Sequence, residues 1–210
     1  MRVSVLIAAI VVAVCIASMA VADVTTFQEW SFTTDTNPAS PESVVNTYGD
    51  PGAVINLDES FATGWWDSDP DLYGSAQGWW DIGLGSIVLD IPNAGPDSSM
   101  DVELSIKYWA DLSQSPGVGF SSSGSTVDMT TELVEDGPLG GGWYRDIWKL
   151  HIGPASDSGV ITISADQDWG SMIDEVSVST TSAASAVPEP GSLMALCAAV
   201  AGLVVRRRSA

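Results

Sequence analysis

Runs in which apolar and polar residues alternate recur along the middle of the chain. The clearest is Asp101–Ala110, where Val102, Leu104, Ile106 and Tyr108 alternate with polar residues and, at the end of the run, with Trp109. A period of two is typical of a β-strand that buries one face and exposes the other to water. The pattern therefore predicts a half-buried strand over this segment.

The same period recurs in other runs, each closed by a turn signal. Ile87, Leu89 and Ile91 alternate before Pro92, and Trp148, Leu150 and Ile152 alternate before Gly153-Pro154. Further short β runs are Val24–Phe32, Val54–Leu57, Tyr144–Ile152, Val160–Ala165 and Met172–Ser179. No capped apolar pattern of period 3.6 interrupts them. We predict an all-β domain over residues 23–179, built of antiparallel sheets because one face of each strand is polar.

About eight such strands in one domain fit a β-sandwich of the jelly-roll type. The closing runs Trp148–Ile152, Val160–Ile163 and Ile173–Val178 resemble the last strands of galactose-binding-like jelly-roll domains. The resemblance implies two antiparallel sheets packed face to face.

Both ends of the chain are apolar. Residues 1–22 consist of a basic start at Arg2, an apolar run and the small-x-small sequence Ala20-Val21-Ala22, which is the layout of a secretory signal peptide. The apolar run Gly191–Val205 measures about 22 Å as a helix and predicts a short transmembrane segment. Arg206, Arg207 and Arg208 follow it, and such clusters stay on the cytoplasmic side, so the main domain is expected to face outward. Residues 180–186 are small and hydroxylated, and we interpret them as a flexible tether.

The C-terminal segment 187–210 adds Pro188, Glu189 and Pro190 in front of the apolar run, and the two prolines keep this tripeptide extended. The combination of this tripeptide, an apolar helix and the Arg cluster resembles the PEP-CTERM sorting signal of Gram-negative-type bacteria. The resemblance implies recognition by an exosortase, a membrane-embedded transpeptidase, with processing near the tripeptide. It also implies inner-membrane anchoring first, then delivery to the cell surface or the exopolysaccharide matrix. An uncleaved tail anchor is the alternative.

The charge is strongly unbalanced. The formal net charge is −20, and all 27 acidic residues except Glu189 lie between Asp23 and Val187, where the only Lys and Arg residues are Lys107, Arg145 and Lys149. Nucleic-acid binding is excluded as a function class because it depends on clustered Lys and Arg. Such a surface suits high ionic strength or neutralisation by calcium. Neither Cys15 nor Cys197 lies in this region, so no disulfide is expected there.

A tetrapeptide repeats within the domain: Gly64-Trp65-Trp66-Asp67 recurs as Gly78-Trp79-Trp80-Asp81. Successive strand residues point to opposite faces, so one Trp of each pair is expected to face outward. Exposed indole rings suit stacking on sugars, whereas burial in the core is the ordinary alternative. The candidate stacking residues are Trp65, Trp66, Trp79, Trp80 and Trp109.

Carboxylates lie at alternate positions between the two repeats. Asp67, Asp69 and Asp71 offer hard oxygen ligands to calcium, although the spacing is not that of an EF-hand, and a solvated acidic loop is the alternative. A looser second candidate comprises Asp166, Asp168 and Asp174.

Catalytic groups are scarce. The single His151 lies on the strand face opposite Leu150 and Ile152 and is interpreted as an exposed bystander, and Gly140–Gly142 is expected to form a hairpin loop. We predict a non-enzymatic surface or matrix protein with a carbohydrate-binding or structural module. One alternative is a polysaccharide-active hydrolase or lyase that uses a carboxylate pair. The other is a structural module stabilised by calcium.

Overall fold

The computed structural model of the protein describes residues 24–45, 49–67, 78–92, 99–109, 115–122, 130–140, 142–152, 158–165 and 170–182. All of them belong to one compact unit, Asp23–Ala183. The predicted signal peptide, most of the tether and the C-terminal sorting segment lie outside the described residues. Among the residues that are described, no helix is long and apolar enough to cross a bilayer.

The described residues form strands joined by turns and loops, which confirms the all-β, antiparallel prediction. The strands are β1 (Val24–Trp30), β2 (Ser43–Val45), β3 (Gly52–Asn56), β4 (Gly64–Trp66), β5 (Trp79–Gly83), β6 (Ser86–Pro92), β7 (Met100–Trp109), β8 (Gly117–Ser122), β9 (Thr130–Gly140), β10 (Trp143–Ile152), β11 (Ser158–Ser164) and β12 (Ser171–Ser182).

The strands form two antiparallel sheets. The larger sheet has eight strands in the order β2-β1-β12-β7-β10-β9, and the β4–β5 pair joins it alongside β12. The smaller sheet has four strands in the order β3-β6-β11-β8. From β5 to β8, and again from β10 to β12, each successive strand lies in the other sheet. Strands that follow each other in the sequence therefore seldom pair, and most pairs join strands that are distant in the sequence.

Both sheets contribute side chains to one hydrophobic core. The predicted inner residues of β7, from Val102 to Tyr108, are buried, and they share a cluster with Leu89 of β6 and Ile161 of β11. The outer residues of β7 are half-buried or exposed, as the period of two requires. We refer below to the side of each sheet that points away from this core as its outer face.

Strand β12 is longer than the alternation predicts. It continues through Thr180 and Ser182, both buried, although the sequence assigns these residues to the tether. The reason is that Thr180 pairs with Thr26 of β1 and with Val102 of β7, and the two threonine hydroxyls lie 2.6 Å apart in a hydrogen bond. The ordered domain therefore extends three residues beyond the predicted boundary at Ser179.

Candidate functional site

The two Gly-Trp-Trp-Asp repeats pair with each other as strands β4 and β5. Their register is antiparallel and places Trp65 opposite Trp80 and Trp66 opposite Trp79. Because directly opposite residues lie on the same face, the first pair is on one side of the hairpin and the second pair on the other. Trp80 belongs to the hydrophobic core, so Trp66 and Trp79 lie on the outer face of the larger sheet.

On that outer face the two indole rings are stacked. The centroids of Trp66 and Trp79 are 5.5 Å apart and their planes differ by 1°. Trp79 underneath is only 2% exposed, whereas Trp66 is 47% exposed. The arrangement presents one flat apolar ring to solvent on top of a second ring that is buried.

A hydrogen-bonded chain fixes the orientation of the upper ring. The Trp66 Nε1–H group donates to Thr63 Oγ1 at 2.8 Å, and the Thr63 hydroxyl donates to Asp81 Oδ2 at 2.5 Å. Asp81 is held in turn by the backbone N–H groups of Thr63 and Gly83, which donate to its two carboxylate oxygens. Stacking and hydrogen bonding together leave the Trp66 ring little rotational freedom.

The inner pair of tryptophans packs against the core. Trp65 is half-buried, and its Nε1–H group donates to the carbonyl oxygen of Phe32 at 2.8 Å. Gly78 makes this contact possible, since a Cβ at that position would lie 2.3 Å from the Phe32 oxygen and 2.6 Å from Trp65 Nε1. The glycine of the second repeat is thus required by a close approach of the backbone.

These positions correct the predicted set of stacking residues. Trp79 and Trp80 are 2% and 5% exposed and offer no open ring face for a sugar. The alternation of faces itself is as expected, but Trp66 covers the outward-facing Trp79. An exposed aromatic that the sequence analysis missed is Phe61, which is 68% exposed in the loop before β4.

Trp109 lies at the end of β7 on the same outer face, opposite Trp143 of β10. The two rings meet edge to face with centroids 5.4 Å apart, and Lys107 Nζ lies 5.4 Å from the Trp143 ring centroid. Trp109 is half-buried and Trp143 is buried, so this pair is less accessible than Trp66.

The positive charges of the domain are also on this face. Lys107 and Arg145 lie opposite each other on β7 and β10, and they form ion pairs with Asp174 and Glu175 of β12. Lys149 pairs with Glu103 farther along the same strands, with 3.8 Å between nitrogen and oxygen. Neighbouring β12 thus supplies acids to the two cations closest to the aromatic rings.

His151 is exposed at the far end of β10, as the alternation predicts, and its Nδ1 lies 2.5 Å from Asp101 Oδ1. A buried acid that the sequence analysis did not single out is Asp146, which is 0% exposed. It accepts hydrogen bonds from Tyr108 Oη and Ser115 Oγ. These contacts explain how a carboxyl group is accommodated beside the core.

The calcium prediction falls largely outside the described residues. Asp67 is exposed at the end of β4, whereas Asp69 and Asp71 are not described, and neither are Asp166 and Asp168. Asp174 of the second candidate is engaged by Lys107. In the part of the chain that the structure describes, no three His, Cys, Asp or Glu residues are grouped so that they could hold a metal ion.

The described residues thus form an antiparallel all-β domain with an aromatic and ion-paired outer face on its larger sheet. Residues 186–208 match the PEP-CTERM protein-sorting motif, in agreement with the resemblance seen in the sequence. The match supports a protein that an exosortase recognises and sorts towards the cell surface. Comparison with curated proteins and with solved structures finds no match for the chain.

Proposed function

We propose that the exported domain is a non-catalytic carbohydrate-binding module that is displayed at the cell surface or in the exopolysaccharide matrix. The observation that carries the proposal is the half-exposed Trp66 ring, held flat on Trp79. An indole ring whose orientation is already fixed can stack on the C–H face of a sugar, and its side chain then loses little conformational entropy on binding.

The surroundings of Trp66 suit a sugar. Asp67 follows Trp66 in the chain and is exposed, and a carboxylate is a hydrogen-bond acceptor that suits sugar hydroxyls. Leu57 and Phe61 add exposed apolar surface in the loop that precedes β4. These residues, together with Trp66, form the proposed binding surface, and half-buried Trp109 is a secondary candidate on the same face.

We further propose that the two sheets form a β-sandwich of the jelly-roll type. The shared core and the repeated passage of the chain from one sheet to the other support this architecture. The sugar surface would then lie on the outer face of one layer.

The sorting motif supports a route for the protein. Residues 1–22 direct export, the apolar helix after Pro190 anchors the chain in the inner membrane, and an exosortase processes it near Pro188-Glu189-Pro190. The acidic, Lys-poor domain is then held among polysaccharides outside the cell. Its charge keeps it soluble there, because carboxylates are strongly hydrated.

An immobilised glycan array tests the binding proposal with the full-length protein in a non-ionic detergent. We expect Trp66→Ala to weaken binding by about tenfold, since loss of one aromatic stack costs roughly 1.4 kcal/mol. Thr63→Val, which removes the hydroxyl that holds the ring, is expected to weaken binding less, by about twofold to fivefold. Val45→Ala removes exposed apolar surface elsewhere on the sheet and serves as the control.

The same array distinguishes the other functions. Glycan binding that survives Trp66→Ala unchanged would contradict the proposed surface. Release of sugar fragments from the array would instead identify the domain as a hydrolase or lyase, because a binding module produces no turnover.

A further inference from the structure

A row of outward-facing residues crosses the larger sheet from β5 to β7. Asp81 of β5 lies opposite Met172 of β12, and Met172 lies opposite Trp109 of β7. The neighbouring register position is filled by core residues: Trp80, Ile173 and Tyr108. Because successive strand residues point to opposite sides, Asp81, Met172 and Trp109 share the outer face, and all three are half-buried. We call these three residues the cross-strand row.

One end of the cross-strand row lies beside the Trp66 ring. Trp66 donates to the Thr63 hydroxyl at 2.8 Å, which donates to Asp81 Oδ2 at 2.5 Å, so this oxygen lies within about 5.3 Å of the indole nitrogen. Asp81 Oδ1 accepts the backbone N–H of Gly83, and a carboxylate oxygen has room for a second donor. Asp81 can therefore accept a hydrogen bond from a hydroxyl of a sugar that is stacked on Trp66.

The other end of the row is a second ring with a fixed orientation. Trp109 meets Trp143 edge to face, with the centroids 5.4 Å apart. Its ring also lies directly over Gly142, where a Cβ would be 2.5 Å from the nearest ring atom. These two contacts hold Trp109 as stacking and hydrogen bonding hold Trp66. The outer face thus offers one oriented indole ring at each end of the row.

The strand order sets the distance between the two rings. Strand β12 pairs through the same residues with β5 and with β7, so these two strands lie on its opposite edges, and β4 lies beyond β5. Three strand spacings of about 4.8 Å, or about 14 Å, therefore separate Trp66 from Trp109 across the sheet. A pyranose unit in an extended chain is about as long as one such spacing. A linear glycan laid across the strands thus places about one sugar over each strand.

The charges on this face favour an uncharged glycan. Every Lys and Arg residue between Asp23 and Val187 is already in an ion pair with a protein carboxylate. An acidic sugar would find no cation free to bind it, and it would be repelled by Asp81 and by the negative charge of the domain. A neutral sugar meets no such repulsion, and its hydroxyl groups can donate to the carboxylates.

We propose that the outer face of the larger sheet binds a linear, uncharged polysaccharide along the cross-strand row. One sugar stacks on Trp66 and another, about three units farther along the chain, stacks on Trp109. The proposal rests on the proposed function, because it extends the sugar surface at Trp66. It identifies the ligand as a stretch of about four consecutive sugars and not as a single terminal sugar. Two anchors on one chain bind it more tightly than either anchor alone.

Glycans of graded length test the proposal. The full-length protein, in a non-ionic detergent without a sugar headgroup, is titrated onto immobilised neutral glucans, mannans and galactans and onto acidic uronate chains, each from a single sugar to about six units. We expect the affinity for the neutral chain that binds to rise by at least about tenfold from the disaccharide to about four units, where the second ring is reached, and then to level off. Uronate chains of the same length should bind at least about tenfold more weakly.

Substitutions at the second ring separate the two anchors. Trp109→Ala and Trp109→Leu should both abolish the gain with length, so that a tetrasaccharide binds no more tightly than a disaccharide binds the wild type. Leucine retains apolar volume at this position, and unchanged disaccharide binding shows that the Trp66 surface is intact. Trp66→Ala should weaken binding at every length. Lys149→Met, on the same face but outside the row, is the matched control and should stay within about twofold of the wild type.

The possible failures are distinguishable. Absence of binding to every glycan would contradict the proposed function and, with it, the extended site. Binding that depends on Trp66 but gains nothing beyond the disaccharide, or a gain that both Trp109 variants keep, would overturn the extended site alone. Equal loss at every length in both Trp109 variants would also overturn it, because Trp109 would then support the fold and not a separate sugar position. Tighter binding of uronate chains would overturn the assignment of an uncharged ligand.

Discussion

At the scale of single residues, the ion pairs of the larger sheet are unequal in burial. The side chains of Lys107 and Asp174 are 20% and 4% exposed, whereas those of Lys149 and Glu103 are more than half exposed. Asp174 is an extra residue in β12, where the register with β7 shifts between Ile173 and Glu175. A carboxylate placed at such an irregularity needs a nearby cation, because burying an unpaired charge is very unfavourable.

Replacing Lys107 by Met therefore tests the role of that pair. The substitution keeps the apolar stem but leaves the Asp174 carboxylate without its cation, and we expect the free energy of unfolding to fall by about 3 kcal/mol. Lys149→Met breaks an exposed pair and should cost less than about 1 kcal/mol. Urea denaturation of both variants gives the comparison. Equal losses in the two proteins would show that burial does not distinguish the pairs.

Residue-level exposure was only partly predictable from the sequence. The alternation of faces follows from strand geometry, and it correctly separates Leu150 and Ile152 from His151. Whether an outward-facing residue remains exposed depends on its cross-strand neighbour. Trp79 is covered because the register sets it against Trp66, and no local pattern in either segment specifies that register.

At the scale of elements, the β4–β5 pair depends on a space next to Gly78. The loop carbonyl of Phe32 and the indole of Trp65 both approach within the volume of a Cβ at this position. The repeated Gly-Trp-Trp-Asp sequence therefore packs against the core through its inner tryptophans, and it presents the Trp66 ring to solvent on its outer side. The two repeats occupy one hairpin-like unit and are not separate binding motifs.

We expect Gly78→Ala to destabilise the domain by about 2 to 4 kcal/mol, since the methyl group forces backbone or indole to move. The Trp65–Phe32 hydrogen bond should be lost, and tryptophan fluorescence should change with it. Gly52→Ala is the matched control, because a Cβ there has nothing within 4 Å. It should shift stability by less than about 1 kcal/mol. A thermal melt of Gly78→Ala that matches the control would contradict the packing described around Trp65.

Strands with clean alternation were predictable, and the others were not. β6, β7 and β10 follow the pattern of apolar residues, since their inner side chains lie in one core. β5 reads Trp-Trp-Asp-Ile-Gly and β8 reads Gly-Val-Gly-Phe-Ser-Ser, sequences in which adjacent aromatics or glycines obscure the period of two. These strands form because neighbouring strands offer backbone hydrogen bonds, which is a tertiary effect that local propensity does not encode.

At the scale of the whole molecule, charge is distributed by face. The few cations lie on the outer face of the larger sheet, where they pair with acids, and the smaller sheet has almost no charge. The amino-acid composition indicates the sign of the net charge. It does not indicate how charge is divided between the two sheets, because the sequence does not say which strands share a sheet.

Sorting also acts on the whole molecule, and the sorting motif leads to a prediction about the C-terminus of the exported protein. The motif at residues 186–208 includes Pro188 and Pro190 in front of the apolar run. We expect mass spectrometry of the protein recovered from the cell surface to find no peptide that contains Arg206–Arg208.

The double variant Pro188→Ala, Pro190→Ala should retain the arginines and remain in the inner membrane, because alanine lets the helix extend through the cleavage region. Ser185→Ala, just outside the motif, should be processed normally. A surface-located wild-type chain that still carries its arginines would identify the segment as an uncleaved tail anchor, in which case the three cations serve only to hold the helix end on the cytoplasmic side.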